Sequence, residues 1–121
     1  MVRLGSLEAN DVAISLHSDF TMAPAAPLLL AGIAASRVAE SGKVLGPSEN
    51  VSAATALEGI TIEAARAIRQ GDRIGSIEVG KEADFTVLES NPLEVDPSLW
   101  HEFEIWGTVS NGRVIPSTRE R

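Results

Sequence analysis

Residues 75–88 read Gly-Ser-Ile-Glu-Val-Gly-Lys-Glu-Ala-Asp-Phe-Thr-Val-Leu, and the change of pattern within them decides the fold. The glycines at 75 and 80 indicate a turn, and the alternating residues 85–88 indicate a strand that follows it. The segment Gly-x-x-x-x-Gly-Lys-Glu fails the phosphate-loop pattern at its last position, and it precedes a strand where that motif needs a helix. We therefore interpret this stretch as a turn that leads into a small β unit.

A β-hairpin is predicted further along the chain. Residues 105–109 and 113–115 flank the triplet Ser110-Asn111-Gly112, and Asn-Gly is the strongest short hairpin signal. A short polar tail, residues 117–121, follows the second strand. The last third of the chain is thus predicted to form a small antiparallel β unit.

Helices are predicted before the turn. Residues 24–40 carry apolar side chains too densely for a strand, which indicates a helix buried on most sides. A loop over residues 43–51 precedes two short helices. Ser52 is predicted to cap the first, through Leu57, and Thr61 to cap the second, through Ile68.

A buried strand is predicted over residues 11–16, which read Asp-Val-Ala-Ile-Ser-Leu and end at His17-Ser18-Asp19. Residues of one parity share a face of a strand, so His17 and Asp19 are expected to point together. A carboxylate at such a strand end can ligate a divalent metal or accept a proton from water. The residues alone leave a structural reading open, in which Asp19 caps the next turn and His17 is a hydrogen-bonded core histidine.

Composition excludes several classes of function. The net charge of -7 gives the chain no electrostatic reason to bind nucleic acid or an anionic membrane. The absence of cysteine excludes disulfides, thiolate zinc sites and cysteine nucleophiles. No apolar run reaches the length of a membrane span and no signal-peptide pattern is present, so we expect a cytoplasmic protein. A chain of 121 residues is also too short for a complete barrel of about 250 residues.

The histidine count limits metal chemistry. A catalytic zinc normally takes three protein ligands, and the chain holds only two histidines, His17 and His101. His101 is predicted to lie at the surface near Trp100, while Trp100 and Trp106 are predicted to pack in the core or the sheet. No Gly-x-Ser-x-Gly elbow supports a serine nucleophile. The sequence therefore does not complete a metal site.

Four segments, taken in order, resemble the end of the YtcJ-like branch of metal-dependent hydrolases in the amidohydrolase superfamily. They are residues 12–20 (Val-Ala-Ile-Ser-Leu-His-Ser-Asp-Phe), 56–65 (Ala-Leu-Glu-Gly-Ile-Thr-Ile-Glu-Ala-Ala), 74–88 and 91–93 (Asn-Pro-Leu). The segment Gly-Thr-Val-x-x-Gly-Arg-Val at 107–114 resembles the family's closing hairpin. The order and spacing of the segments together are more specific for this family than any single segment is.

The resemblance implies a particular fold and site. The chain would be an α/β fragment, with the last strand and helix of a (β/α)₈ metal-dependent hydrolase barrel, small helices, and the C-terminal part of a composite β-sandwich. Residues 1–72 would belong to the barrel and 73–116 to the sandwich. Asp19 would be a metal ligand and the general base, and His17 would line the site. In full-length family members we expect a divalent metal, with zinc favoured.

The resemblance also implies a reaction, the hydrolysis of carbon–nitrogen bonds in non-peptide amides or cyclic amides. The family's other metal ligands have no matching positions here, so we expect the isolated chain to hold no metal and to be inactive. Two alternatives stay open, a non-catalytic self-associating or partner-binding module, and an independent enzyme with Asp19 and His17 at a subunit interface. Exposed barrel edges predict a homodimer or larger assembly, or association with a missing N-terminal portion of the hydrolase.

Overall fold

The computed structural model describes residues 2–117, so most of the predicted polar tail, 117–121, lies outside the described residues. The helices and strands, in chain order, are α1 (Leu4–Glu8), α2 (Pro27–Ser36), α3 (Ala53–Gly59), α4 (Ile62–Ala67), β1 (Phe85–Leu88), β2 (Ile105–Ser110) and β3 (Arg113–Pro116). Three 3₁₀ helices lie between them, at Pro47–Glu49, Pro92–Glu94 and Pro97–Glu102.

The core is built mainly from α1, α2, α3 and the 3₁₀ helix Pro97–Glu102, and its most extensive contact is between α2 and that 3₁₀ helix. Trp100 is completely buried there, and its indole Nε1 donates to the carbonyl oxygens of Pro92 at 3.0 Å and Val95 at 3.2 Å. The helix approaches closely because Gly32 has no side chain, and a Cβ at that position would lie 2.5 Å from the carbonyl oxygen of Pro97. This packing encloses Trp100, the largest fully buried side chain among residues 2–117.

Helix α2 is shorter than the predicted range of 24–40. It begins at Pro27, because proline is tolerated in the first turn and disfavours helical backbone in the residue before it, here Ala26 with ψ 87°. It ends at Ser36, since Arg37 adopts the left-handed conformation with φ 59° and its N–H donates to the carbonyl of Ile33. Val38, which was predicted to be helical, then forms an isolated antiparallel bridge with Val44 of the predicted loop.

The predicted strand over residues 11–16 is wrong. Residues 12–18 belong to no sheet, and the N–H of Leu16 donates instead to the carbonyl of Gly59 at the end of α3, at 2.9 Å. Ile14 is nevertheless buried, as the apolar pattern predicted. A strand needs a neighbouring strand to pair with, and in the described part of the chain a helix occupies that side.

Helix α1 was not predicted, and contacts with distant residues hold it in place. The Glu49 carboxylate accepts from the N–H and the hydroxyl of Ser6, each at 2.9 Å. The Glu8 carboxylate accepts from the hydroxyl of Thr55 at 2.6 Å and from the N–H of Ser52 at 3.0 Å. These hydrogen bonds, the one from Thr55 first, lower the pKa of Glu8. The charged form of Glu8 thus ties α1 to the N-terminus of α3.

The two predicted caps have different outcomes. The Ser52 hydroxyl accepts from the N–H of Thr55 at 3.1 Å and caps α3, as predicted. Thr61 does precede α4, but its hydroxyl donates to the carbonyl of Leu57 at 2.7 Å. The predicted side-chain cap at Thr61 is therefore wrong, because the preceding helix ends close enough to take its hydroxyl.

The predicted turn, strand and hairpin are confirmed. Gly75 and Gly80 both have φ +95°, and the turn between them is followed by a strand, as expected. The three strands form an antiparallel sheet in the order β1-β2-β3. Asn111 and Gly112 both have positive φ, 49° and 77°, which is the signature of a two-residue type I′ turn.

The sheet stands apart from the core. None of the residues in the described hydrophobic core belongs to a strand, and the main contacts of each strand are with its neighbouring strands. Several apolar side chains of the sheet are about half exposed, namely Ile105, Trp106, Val114 and Ile115. Within residues 2–117, no helix has the length and apolar character needed to span a bilayer.

Candidate active site

The segment that carries His17 and Asp19 is anchored on α3. Ile14 is only 6% exposed, and Leu16 packs against the core next to Gly59. A Cβ on Gly59 would lie 3.1 Å from Cγ of Leu16 and 3.2 Å from the carbonyl oxygen of Ile14. The glycine therefore allows the backbone of the segment to approach the end of the helix, which fixes where the following residues emerge.

His17 and Asp19 lie together in a turn at the surface. The N–H of Asp19 donates to Nδ1 of His17 at 3.2 Å, and the carbonyl of Asp19 accepts from the N–H of Met22 at 2.7 Å. Asp19 has φ 49°, so the chain reverses at this residue. Because Nδ1 of His17 accepts a hydrogen bond, the neutral imidazole carries its proton on Nε2 in this arrangement.

Both side chains of this turn are available to other molecules. His17 and Asp19 are exposed, so the alternative of a core histidine is wrong. The Asp19 carboxylate caps no helix within residues 2–117, since α2 begins at Pro27 without a side-chain cap. The two residues lie in a turn, where a strand end had been predicted.

The described residues do not complete a metal site. Nowhere in residues 2–117 do three His, Cys, Asp or Glu side chains cluster in a way that could hold a metal ion. His101 lies far along the chain on the 3₁₀ helix Pro97–Glu102, where it is exposed and its Nε2 is 3.7 Å from Oε1 of Glu102.

A second group of polar residues, which the sequence interpretation missed, surrounds the turn at 75–80. Nζ of Lys81 lies 2.5 Å from Oγ of Ser76 and 3.0 Å from Oε1 of Glu78. The Ser76 hydroxyl first, and then Lys81, lower the pKa of Glu78. A depression of about 600 Å³ lies beside this network, lined by Arg66, Arg69, Gly71, Asp72, Glu78, Val79, Gly80 and Lys81. Its charges are mixed and it includes neither His17 nor Asp19, so we assign it to the structure of the turn.

The fold resembles part of one solved protein structure. The structure aligns with guanine deaminase of E. coli with a TM-score of 0.67 at 21% identity, covering 96% of this chain and 30% of that one. At this identity the likeness establishes the fold alone.

Sequence comparison then gives the family. A sequence model of the amidohydrolase family matches residues 2–116, and the chain belongs to that family. It is 34% identical over 101 residues to the N-substituted formamide deformylase of Arthrobacter pascens, covering 84% of this chain. It is 36% identical over 103 residues to YtcJ of Bacillus subtilis (strain 168), covering 81% of this chain. The resemblance to the YtcJ-like branch is thereby confirmed.

The matched relatives are much longer proteins. The chain spans 19% of the length of the deformylase and 19% of YtcJ. It is also 30% identical over 121 residues to the imidazolonepropionase of Streptococcus gordonii, covering 84% of this chain and 39% of that protein. The chain therefore corresponds to a minor part of each of these relatives.

Proposed function

We propose that this chain serves as the C-terminal segment of a metal-dependent hydrolase that cleaves carbon–nitrogen bonds in non-peptide amides or cyclic amides. The observation that carries the proposal is the family match over residues 2–116, together with the exposed turn at His17 and Asp19. The named deformylase among the relatives fits an amide substrate, and imidazolonepropionase fits a cyclic one. Residues 1–72 would form the end of the barrel, and 73–116 part of the composite sandwich.

Asp19 would act as the general base. Its carboxylate is exposed. The turn that presents it is held by two hydrogen bonds, one from the N–H of Asp19 to Nδ1 of His17 and one from the N–H of Met22 to the carbonyl of Asp19. A positioned carboxylate can take the proton from an attacking water while the amide carbon is attacked, and such general-base action contributes about 10²–10⁴-fold to rate. His17 would line the site and orient the turn through its Nδ1.

The metal would be held mainly by residues that the described part of this chain does not contain. Within residues 2–117 no three potential donor side chains cluster, so the N-terminal portion of the hydrolase would supply the ligands other than Asp19. We accordingly expect the isolated chain to purify without stoichiometric zinc and without hydrolase activity. Elemental analysis of untagged protein measures this directly, and bound zinc at one ion per chain would contradict it.

A chimera tests the role of Asp19. This chain would replace the matching fifth of the N-substituted formamide deformylase of Arthrobacter pascens, and hydrolysis of an N-substituted formamide would be followed. Asp19→Asn should lower kcat by about 10²–10⁴-fold with little change in KM, because the base acts mainly in the transition state. The matched control is Asp11→Asn, since Asp11 is also exposed with positive φ, 53°, and should keep full activity.

Two other results would argue against this role. Equal activity of the Asp19→Asn and unmodified chimeras would remove Asp19 from the chemistry. An inactive chimera that is folded and carries its full metal content would show that this chain cannot complete the active site.

The second candidate is a self-associating module, and an exposed apolar pair beside the turn favours it. Phe20 is 72% exposed and Met22 is 82% exposed, directly after Asp19. Contiguous exposed apolar surface is typical of interaction sites, and these two large side chains are only two positions apart. In a homodimer built on this surface, the turns of two copies would lie near each other.

Self-association can be measured with two matched double variants. We expect a homodimer by light scattering at micromolar concentration, and a shift to monomer when Phe20 and Met22 are both changed to serine. The control changes Ile77 and Val79 to serine, which are 85% and 108% exposed in a different turn. A monomer throughout, or an equal shift in the control, would contradict this surface.

A further inference from the structure

Asp19 has a backbone conformation that its own side chain does not support. Its φ of 49° lies in the left-handed region, which is sterically unfavourable for a residue with a Cβ. Aspartate is often found in this region because its carboxylate can hydrogen-bond to nearby backbone groups. Among residues 2–117, however, the carboxylate of Asp19 makes no hydrogen bond or ion pair. The turn therefore depends on other groups.

His17 supplies one of these groups. Its Nδ1 accepts from the N–H of Asp19 at 3.2 Å, and the carbonyl of Asp19 accepts from the N–H of Met22 at 2.7 Å. Both polar groups of the Asp19 backbone are thus hydrogen-bonded to near neighbours. The carboxylate takes no part in closing the turn, so it stays available for chemistry.

The same spacing of two residues occurs in two other turns of the chain, where an amide or a carboxylate is the acceptor. Oδ1 of Asn91 accepts from the N–H of Leu93 at 3.0 Å, and Oδ1 of Asp96 accepts from the N–H of Ser98 at 2.9 Å. Nδ1 of histidine and Oδ1 of asparagine are both bonded to Cγ, and both can accept a hydrogen bond. His17 therefore has the role that asparagine has in an Asx turn.

This hydrogen bond also limits what the imidazole can do. A neutral histidine that accepts at Nδ1 carries its proton on Nε2, so neither nitrogen has a lone pair left for a metal. A histidine that binds a metal through Nε2 normally donates the N–H at Nδ1 to an acceptor. In this turn Nδ1 faces the N–H of Asp19, which is a donor. The arrangement is therefore incompatible with His17 as a metal ligand.

We propose that His17 is a positioning residue of the hydrolase, which keeps Asp19 in its left-handed conformation and does not itself bind the metal. This inference rests on the proposed role of Asp19 as general base. A neutral side chain suits position 17 better than a second carboxylate would. An aspartate there could close the turn, as Asp96 closes its own, but two like charges in one site disfavour the ionised form that a base needs.

Amide hydrogen exchange in this chain, measured by NMR, tests the hydrogen bond. In His17→Leu the amide of Asp19 should exchange about two- to tenfold faster, because its acceptor is lost. In His17→Asn it should exchange as slowly as in the unmodified chain. His101→Leu is the matched control, since His101 is exposed and lies on the 3₁₀ helix Pro97–Glu102. Unchanged exchange of Asp19 in His17→Leu would overturn the proposal.

The chimera with the deformylase tests the consequence for catalysis. His17→Leu should lower kcat by about 10–10²-fold with little change in KM, because the base is misplaced, and His17→Asn should restore kcat to within about threefold. Elemental analysis should find the same metal content in the unmodified and His17→Asn chimeras. Loss of metal from His17→Asn would make His17 a ligand and would overturn the proposal.

The two proposals fail in different ways. Full activity of the Asp19→Asn chimera would remove the general base, whatever His17 does, and the exchange of the Asp19 amide would still show whether His17 closes the turn. If Asp19→Asn is inactive while His17→Leu keeps full activity, Asp19 remains in the chemistry and the role of His17 alone is wrong.

Discussion

Replacement of Trp100 by alanine is expected to lower the free energy of unfolding by about 3–5 kcal/mol. The side chain is 0% exposed and lies in the core between α2 and the 3₁₀ helix Pro97–Glu102. Its removal leaves a cavity that the core residues around it, several of them alanines, cannot fill. It also deprives the carbonyl oxygens of Pro92 and Val95 of the hydrogen bonds that they now accept from the indole N–H.

Trp106→Ala provides the control for this prediction. Trp106 is 48% exposed on a sheet that lies outside the core, so its loss should cost about 1 kcal/mol or less. Urea unfolding followed by far-ultraviolet circular dichroism compares the two variants, with the midpoint as the readout. Equal midpoints would show that the core does not depend on Trp100.

The sequence predicted elements whose cause is local. The hairpin follows from Asn111 and Gly112, which tolerate the positive φ of a type I′ turn, and the cap of α3 follows from the hydroxyl of Ser52. The start of α2 was predicted three residues too early, although its signal is local as well, since the residue before Pro27 avoids helical backbone. Short-range chemistry was sufficient for these features.

Features that depend on distant residues were not predictable in the same way. Residues 11–16 have the composition of a buried strand, but whether they pair depends on which element lies beside them, and here Gly59 at the end of α3 takes the hydrogen bond. Helix α1 depends on Glu49, which is more than forty residues away and binds Ser6. Neither partner can be identified from the local pattern.

The candidate site and the turn at 75–80 also differ in how much of each could be predicted. His17 and Asp19 were expected at the end of a strand, and they lie instead in a turn that is closed by hydrogen bonds between near neighbours. The Ser76–Glu78–Lys81 network was missed, although it spans only six residues. Its signal was a lysine after the second glycine of a tight turn, where the side chain can fold back over the turn.

Substitution of Gly75 by alanine is the second large effect that we expect, a loss of about 2–5 kcal/mol in the free energy of unfolding. Two costs combine at this position. The backbone has φ +95°, which strains any residue with a Cβ, and the added atom would lie 2.7 Å from Cβ of Ala65 and 2.9 Å from Cα of Ile62. Both of those atoms belong to α4, so relief would require the helix and the turn to separate.

Gly80→Ala separates the two costs, because Gly80 has the same φ of +95° and open space where its Cβ would be. It should show only the backbone strain, about 1 kcal/mol, and the difference between the two variants should equal the cost of crowding α4. If the variants unfold at the same denaturant concentration, the turn can move away from α4 without loss. A clear difference would mean that contact between Gly75 and α4 is one of the links holding the turn before β1 against the helices, and that the glycine at 75 is required for packing as well as for its φ.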